Sequence, residues 1–211
     1  MPPSYPMYPM QRLPLPETVP SGVLLSEDEL AYASRFRRHE DQVRSVTTRA
    51  ALRRILGSRL ELPPDTLRFI ANHHGKPFLQ DDAGIEFNVS HAGYFALIAL
   101  STGGQVGVDI ESRDHEIDVK SLGAYVFSPL ERKSGLKTDE DFIKHWVAKE
   151  SVLKALGEGI SEHLQAISIL PGEGECYRIE HERPEWSGIK AWSIKAPDGS
   201  AAALAGQNEA T

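Results

Sequence analysis

Three carboxylates carry the chemistry for which this sequence is best equipped. In Val106-Gly107-Val108-Asp109-Ile110-Glu111, the two-residue period of a strand sends Val106, Val108 and Ile110 to one face and Asp109 and Glu111 to the other. Two like charges side by side repel, and at a strand end they call for a cation between or near them. On that segment alone the simpler reading, the polar outer face of an antiparallel strand, prevails. The second piece is Trp146-Val147-Ala148-Lys149-Glu150-Ser151-Val152-Leu153-Lys154. Glu150 and Lys154 lie one helical turn apart and could be a surface ion pair worth roughly 0.2–0.5 kcal/mol. However, Glu150 borders the apolar stripe at Trp146 and Leu153, where a third carboxylate would complete an all-oxygen site. Such donors suit magnesium, with manganese as the alternative, and leave room for waters and substrate phosphate oxygens. Zinc or iron would want histidine or cysteine, and no histidine pair has ligand-like spacing on one element.

Other segments carry weaker signals. Asn88-Val89-Ser90-His91 closes a strand, so Ser90 and His91 point to opposite faces and do not make a nucleophilic pair. His91 is either structural or, beside a serine at a strand end, a phosphate contact. Gly75-Lys76-Pro77 lacks the glycine and Ser/Thr of a Walker loop and, taken alone, is a turn. Eight of the fourteen arginines fall between Arg35 and Arg59. They form either a solvated helix face or a positive field that receives a phosphorylated ligand or an acidic partner.

The elements that must position these residues are legible in outline. Seven of the fourteen prolines lie in the first twenty residues, so residues 1–20 read as a mobile tail. Ser26-Glu27-Asp28-Glu29 has the form of a capping box, opening a helical stretch that runs to about Leu60 with a break near Arg38 to Asp41. Strands follow at Leu67–Ala71, Ile85–Val89, Tyr94–Leu100 and Val106–Glu111. Ser128-Pro129-Leu130-Glu131 starts a further helix. Thr138–Leu156 is the most strongly patterned helix, with Gly157 as its stop. Strands are expected again at Ala166–Leu170, Cys176–Glu180, Ile189–Ile194 and Ala201–Ala205. Helix followed by several strands thus occurs twice.

The whole composition bounds the reading. The chain has 211 residues, 40% apolar and 25% charged, which suits one domain or two small subdomains sharing a core. A net charge of −7 argues against a nucleic-acid partner. Cys176 is the only cysteine, excluding an internal disulfide and a cysteine-based zinc site. No membrane-spanning run and no signal peptide are apparent, so a cytoplasmic enzyme is the default expectation.

Gly75-Lys76-Pro77, Phe87-Asn88-Val89-Ser90-His91, Gly107-Val108-Asp109-Ile110-Glu111 and Trp146 to Lys154, in this order and spacing, resemble the motifs of 4′-phosphopantetheinyl transferases. The similarity is to the larger, surfactin-synthetase-activating type and spans roughly Leu25 to Ala205. It implies an α+β fold of two similar subdomains related by a pseudo-twofold, each a helix on a small, mainly antiparallel sheet. An N-terminal subdomain (21–108) would contact coenzyme A, and a C-terminal one (109–211) would hold the metal and catalytic residues.

The implied reaction moves the phosphopantetheine arm of coenzyme A to a serine of an apo acyl or peptidyl carrier protein, releasing adenosine 3′,5′-bisphosphate. By matching positions, Asp109, Glu111 and Glu150 would hold magnesium, and Lys154 would stabilise the leaving phosphate, with Lys149 assisting. Gly75, Lys76 and Pro77 would line the adenine pocket. Arg44, Ser45, Ser90 and His91 would contact coenzyme A phosphates. Glu131 matches a family glutamate proposed as general base, so it would serve as base or contact a metal-bound water, but Ser128 and Glu131 also spell a capping box, and one carboxylate serves only one of these roles well. Family members often carry a basic residue near Tyr32, a charge that Arg35, Arg37, Arg38 or His39 would have to supply. A monomer is expected. Two other uses of the same residues stay open: hydrolysis of a diphosphate substrate, and binding of coenzyme A or a carrier without turnover.

Overall fold

A computed structural model describes residues 24–81, 83–113, 119–135 and 138–208; the expected tail at 1–20 lies outside them. The capping box at Ser26 forms as expected. The Ser26 hydroxyl accepts from Glu29 N–H, and the Glu29 carboxylate accepts from Ser26 N–H, opening α1 (Glu27–Ala33). Glu29 also receives Arg53 Nε at 2.9 Å, which ties α1 to α2 (His39–Leu60). α2 ends at Glu61, whose φ of 56° is left-handed, just before Pro63-Pro64. The break between the two helices covers residues 34–38.

Two hairpins follow α2. The first pairs β1 (Phe69–Ala71) with β2 (Pro77–Leu79), and the second pairs β3 (Glu86–Ala92) with β4 (Phe95–Ser101), both antiparallel. Leu52 and Leu56 of α2 pack on Phe87 and Leu100 of the second hairpin. β5 (Gly104–Ser112) then begins a new sheet. α3 (Val119–Val126), α4 (Pro129–Lys133), α5 (Asp139–Leu156) and α6 (Ile160–His163) intervene before its remaining strands. These are β6 (Ser168–Pro171), β7 (Cys176–Glu180), β8 (Ile189–Ile194) and β9 (Ser200–Asn208), in the order β5-β9-β8-β7-β6 and antiparallel throughout.

The architecture is α+β, with a long helix followed by strands in each half. α5 crosses the five-stranded sheet, burying Val147, Ala148, Leu153 and Ala155 among Ala191, Ala201, Ala203 and Ala205. The alanines of β8 and β9 allow this close seating. On the opposite sheet face Val106, Val108 and Ile110 pack against Leu97 and Ala99 of β4, which fulfils the alternation expected of β5.

The halves meet along the free edge of β5. β9 occupies one edge of that strand, and side chains from the first half take up the backbone groups of the other. The Val106 carbonyl accepts from Lys76 Nζ (3.3 Å), Val108 N–H donates to Asn88 Oδ1 (2.9 Å), and Ile110 N–H donates to Ser90 Oγ (3.3 Å). Side chains thus cover an edge that would otherwise invite another strand. The expected division at 108/109 falls inside β5, which is one continuous strand from Gly104. The three-residue β2 and the helices α3 and α6 were not anticipated from sequence. No described helix is long and apolar enough to cross a membrane.

Candidate functional site

Asp109 stands on β5 and Glu150 and Lys154 on α5, and Gly107 determines how closely those two elements approach. A Cβ at Gly107 would overlap the Ser151 carbonyl oxygen and the Ala155 backbone nitrogen, so only glycine lets the helix lie this near the strand. The contact brings Lys154 Nζ to 2.5 Å from Asp109 Oδ1 and 3.4 Å from Glu150 Oε2. Ser90 Oγ donates to the same Asp109 oxygen at 2.7 Å. Asp109 Oδ2 is buried with no hydrogen-bond partner among the described residues.

The electrostatics are those of negative charge short of compensation. Burial lifts the Asp109 carboxyl above its ordinary value against the opposing pull of Lys154 and Ser90. Glu150 is pushed up to about 7, first by burial and then by Asp109 and Glu111. Burial lowers Lys154, but Asp109 and Glu150 together outweigh it, and the ammonium is held above its usual value. Glu111, two residues along β5 and half-buried, adds to the negative surroundings of Glu150.

Among the described residues, no three of His, Cys, Asp and Glu are grouped to hold a metal ion. Lys154 lies between Asp109 and Glu150 in this arrangement. The donor set nonetheless fits a hard divalent cation. It is all oxygen, one buried oxygen of Asp109 has no partner among the described residues, and burial, with Asp109 and Glu111 beside it, holds Glu150 at its raised value.

Lys154 also lines a cleft of about 280 Å³ beside this cluster. The cleft lies between the β1–β2 turn, with His74, Gly75, Lys76 and Pro77, and the end of α5 at Gly157 and Glu158. The turn is built by Asn72, whose Oδ1 accepts from His74 N–H (3.0 Å) and Lys76 N–H (2.9 Å), while Gly75 takes φ +83°. Asn72 Nδ2 reaches the Gly157 carbonyl at 3.0 Å. On β3, His91 is exposed while Ser90 is buried, as opposite strand faces require. Although part of its surface faces solvent, desolvation by the surrounding protein, with Arg44 and Lys154 as nearby cations, holds the His91 imidazole below its ordinary value. Arg44 pairs with Asp41 at 2.9 Å and keeps a buried Nε without a partner among the described residues; Ser45 beside it is half-buried.

Glu131 and Lys149 stand apart from this group. The capping box at Ser128 is formed: Ser128 N–H donates to Glu131 Oε2 and Glu131 N–H to Ser128 Oγ. The other carboxylate oxygen accepts from Ile169 N–H at 2.8 Å, and Lys149 Nζ lies 2.7 Å from Oε2. Lys149 also donates to the Leu164 and Ile167 carbonyls at 2.6 and 2.7 Å. Its three acceptors match the three protons of an ammonium, leaving none for a ligand. Both side chains are 0% exposed. A general base must reach the proton it takes, and a phosphate contact must reach phosphate. In this geometry Glu131 is engaged in its cap and Lys149 with it, so a base role for Glu131 or a coenzyme A contact for Lys149 would need these bonds to open. Both join α4, α5 and β6.

Two family models cover nearly all of the described chain. One, the 4′-phosphopantetheinyl transferase superfamily, matches residues 105–205, and the other, the 4′-phosphopantetheinyl transferase N-terminal region, matches residues 17–103. A Synechocystis protein assigned the same activity is 37% identical over 168 residues, covering 72% of this chain and 68% of its own. The HetI 4′-phosphopantetheinyl transferase of Nostoc is 35% identical over 171 residues, with 77% and 71% covered. The chain belongs to the 4′-phosphopantetheinyl transferase superfamily. The Sfp 4′-phosphopantetheinyl transferase of Bacillus subtilis is 28% identical over 150 residues, with 69% of this chain and 66% of Sfp covered. In this transferase the two family models meet at Gly104, where β5 begins.

Sequence reasoning reads Asn72-His73-His74-Gly75 as a turn but does not assign Asn72, His74 and Glu158 to a cleft wall, nor Asn88 to a strap on β5. Asn72 carried a usable signal, since asparagine three residues before a glycine favours a side-chain-closed turn. Tyr32 is 57% exposed and packs edge-on against Phe36, with Arg35, Arg37 and Arg38 exposed nearby.

Proposed function

We propose that this transferase moves the 4′-phosphopantetheine arm of coenzyme A to a serine of an apo acyl or peptidyl carrier protein, using magnesium and releasing adenosine 3′,5′-bisphosphate. The observation that carries this reading is the double position of Lys154, whose ammonium is bonded to Asp109 while its side chain lines the cleft behind Gly75-Lys76-Pro77. A nucleotide held in that cleft would present its diphosphate to the carboxylate cluster. Asp109, Glu111 and Glu150 would hold the magnesium ion, with manganese as the alternative. The ion's contribution would be to offset charge on the attacked phosphoryl group and its leaving phosphate.

The chain's own residues supply the rest. Gly75, Pro77 and the backbone of Lys76 form the wall against the adenine. Arg44, Ser45, Ser90 and His91 receive phosphate oxygens. In the transfer, the carrier serine oxygen forms a bond to the phosphopantetheine phosphorus as that phosphorus loses its bond to the bisphosphate oxygen. Lys154 stabilises the negative charge appearing on the bisphosphate. The serine proton leaves either to Glu131, which must then give up its cap, or to a water beside the carboxylate cluster, Glu150 being kept for the ion. Residues 21–108 would then serve chiefly coenzyme A and residues 109–211 the metal and the reaction. A cytoplasmic monomer with no nucleic-acid or membrane partner completes the proposal.

The test is transfer to several apo carriers with coenzyme A and magnesium, read by intact mass, beside a carrier-free control. Transfer that needs both the carrier and the cation supports the reading. Release of the bisphosphate without any carrier would make the protein a hydrolase.

A further inference from the structure

Lys76 sits in the cleft wall, yet its ammonium is directed elsewhere. Nζ donates to the Ala155 carbonyl at 3.0 Å and to the Val106 carbonyl at 3.3 Å. Ala155 belongs to the last turn of α5, where carbonyls have no partner within the helix and where a cation is favoured by the helix dipole. Val106 lies on the free edge of β5. The two acceptors therefore belong to the two elements that carry the carboxylates, close to Gly107, where those elements touch. Asn72 Nδ2 caps a neighbouring carbonyl, that of Gly157, from the same turn.

We infer that Lys76 is a positioning residue, which locks α5 against β5 and so fixes Glu150 and Lys154 relative to Asp109 and Glu111. The turn that shapes the cleft does not depend on this ammonium. It is closed by Asn72 Oδ1 on the His74 and Lys76 amides, by Gly75 N–H on the Asn72 carbonyl (2.9 Å) and by Asn72 N–H on the Lys76 carbonyl (3.0 Å). Removing the ammonium should leave the nucleotide wall standing while loosening the register of helix on strand. A lysine that contacted the nucleotide directly would show the reverse. The inference rests on the assignment of the four site residues to one reaction centre.

The experiment compares Lys76→Met with the parent protein in two measurements. These are kcat for carrier modification at saturating coenzyme A, and Kd for adenosine 3′,5′-bisphosphate by calorimetry. Misplacement of reacting groups by an ångström costs about a hundredfold in rate. The expected result is a kcat loss of that order with a Kd within about twofold of the parent, largely restored in Lys76→Arg, which keeps a charged donor. A Kd weakened about tenfold with kcat retained, or no change in either, overturns it. Should Lys76→Met not fold, Lys76→Ala, which also lacks a donor, is read by the same split. Failure of the unsubstituted protein to bind adenosine 3′,5′-bisphosphate would instead overturn the cleft assignment.

Discussion

At Asp109 the two carboxylate oxygens have unlike surroundings: Oδ1 holds Ser90 and Lys154, and Oδ2 is buried without a partner among the described residues. Leaving a buried carboxylate oxygen unpaired costs stability unless binding repays it. Asp109→Ala should therefore cost transfer about a hundredfold or more, as loss of a major electrostatic element at the reacting centre does, while circular dichroism stays that of the parent. Near-normal turnover would reject the assignment. Glu150 gives a prediction in pH. With a folded value of about 7 against an ordinary 4.5, it keeps a proton in the folded protein that it sheds in the unfolded chain. Stability of the cation-free protein is thus greatest below that window and falls as pH rises through it. Glu150→Gln should flatten the fall of melting temperature between those limits; an equally steep fall in both would exclude Glu150 as its source.

Glu131 is argued differently because its partners are structural. Breaking a buried pair by removing one member costs about 3–5 kcal/mol, so Glu131→Ala should lower urea stability by that order. Glu131→Met with Lys149→Met should cost less, since no unpaired charge stays behind. Parent-like stability with lost transfer in Glu131→Ala would assign it as the base. The sequence permitted both readings, because the capping-box spacing and the family position coincide. Lys149, next to Glu150 in sequence but turned about 100° around the helix, faces the cap, and no local pattern reveals its partners there. Asp109, Glu150 and Lys154 were easier to place, since strand alternation and helix periodicity put them beside an apolar face.

Among the elements, β5 and α5 determine the site, and both were legible: the strand from its alternation, the helix from its apolar stripe and Gly157. Their contact was not, because it depends on the missing side chain of Gly107 and on the alanines of β8 and β9. Gly107→Ala should push α5 from β5, lowering the melting temperature and reducing kcat by about a hundredfold, the cost of a misplacement by an ångström. A variant with parent activity would show that the helix tolerates displacement. The short β2 and α6 carried too few residues for a periodicity to register, and α3 lay beyond the patterned segments. The strapping of the β5 edge by Lys76, Asn88 and Ser90 was equally out of reach, since it joins side chains of one half to backbone of the other.

For the whole molecule, the central claim is that two halves close on one ligand, the first supplying the wall of Gly75-Lys76-Pro77 and the second the carboxylates. A net charge of −7 coexists with a basic first helix pair, which suits an anionic ligand at that end better than a nucleic acid over the surface. The carrier is the least legible partner, because exposed loop sequence does not encode specificity. The most direct measurement is intact-mass analysis of apo acyl and peptidyl carrier proteins incubated with this protein, coenzyme A and magnesium. The account predicts a mass gain equal to one phosphopantetheine arm, lost on adding a chelator and lost with Asp109→Ala. No mass gain on any carrier, or a gain indifferent to both chelator and Asp109→Ala, would contradict it.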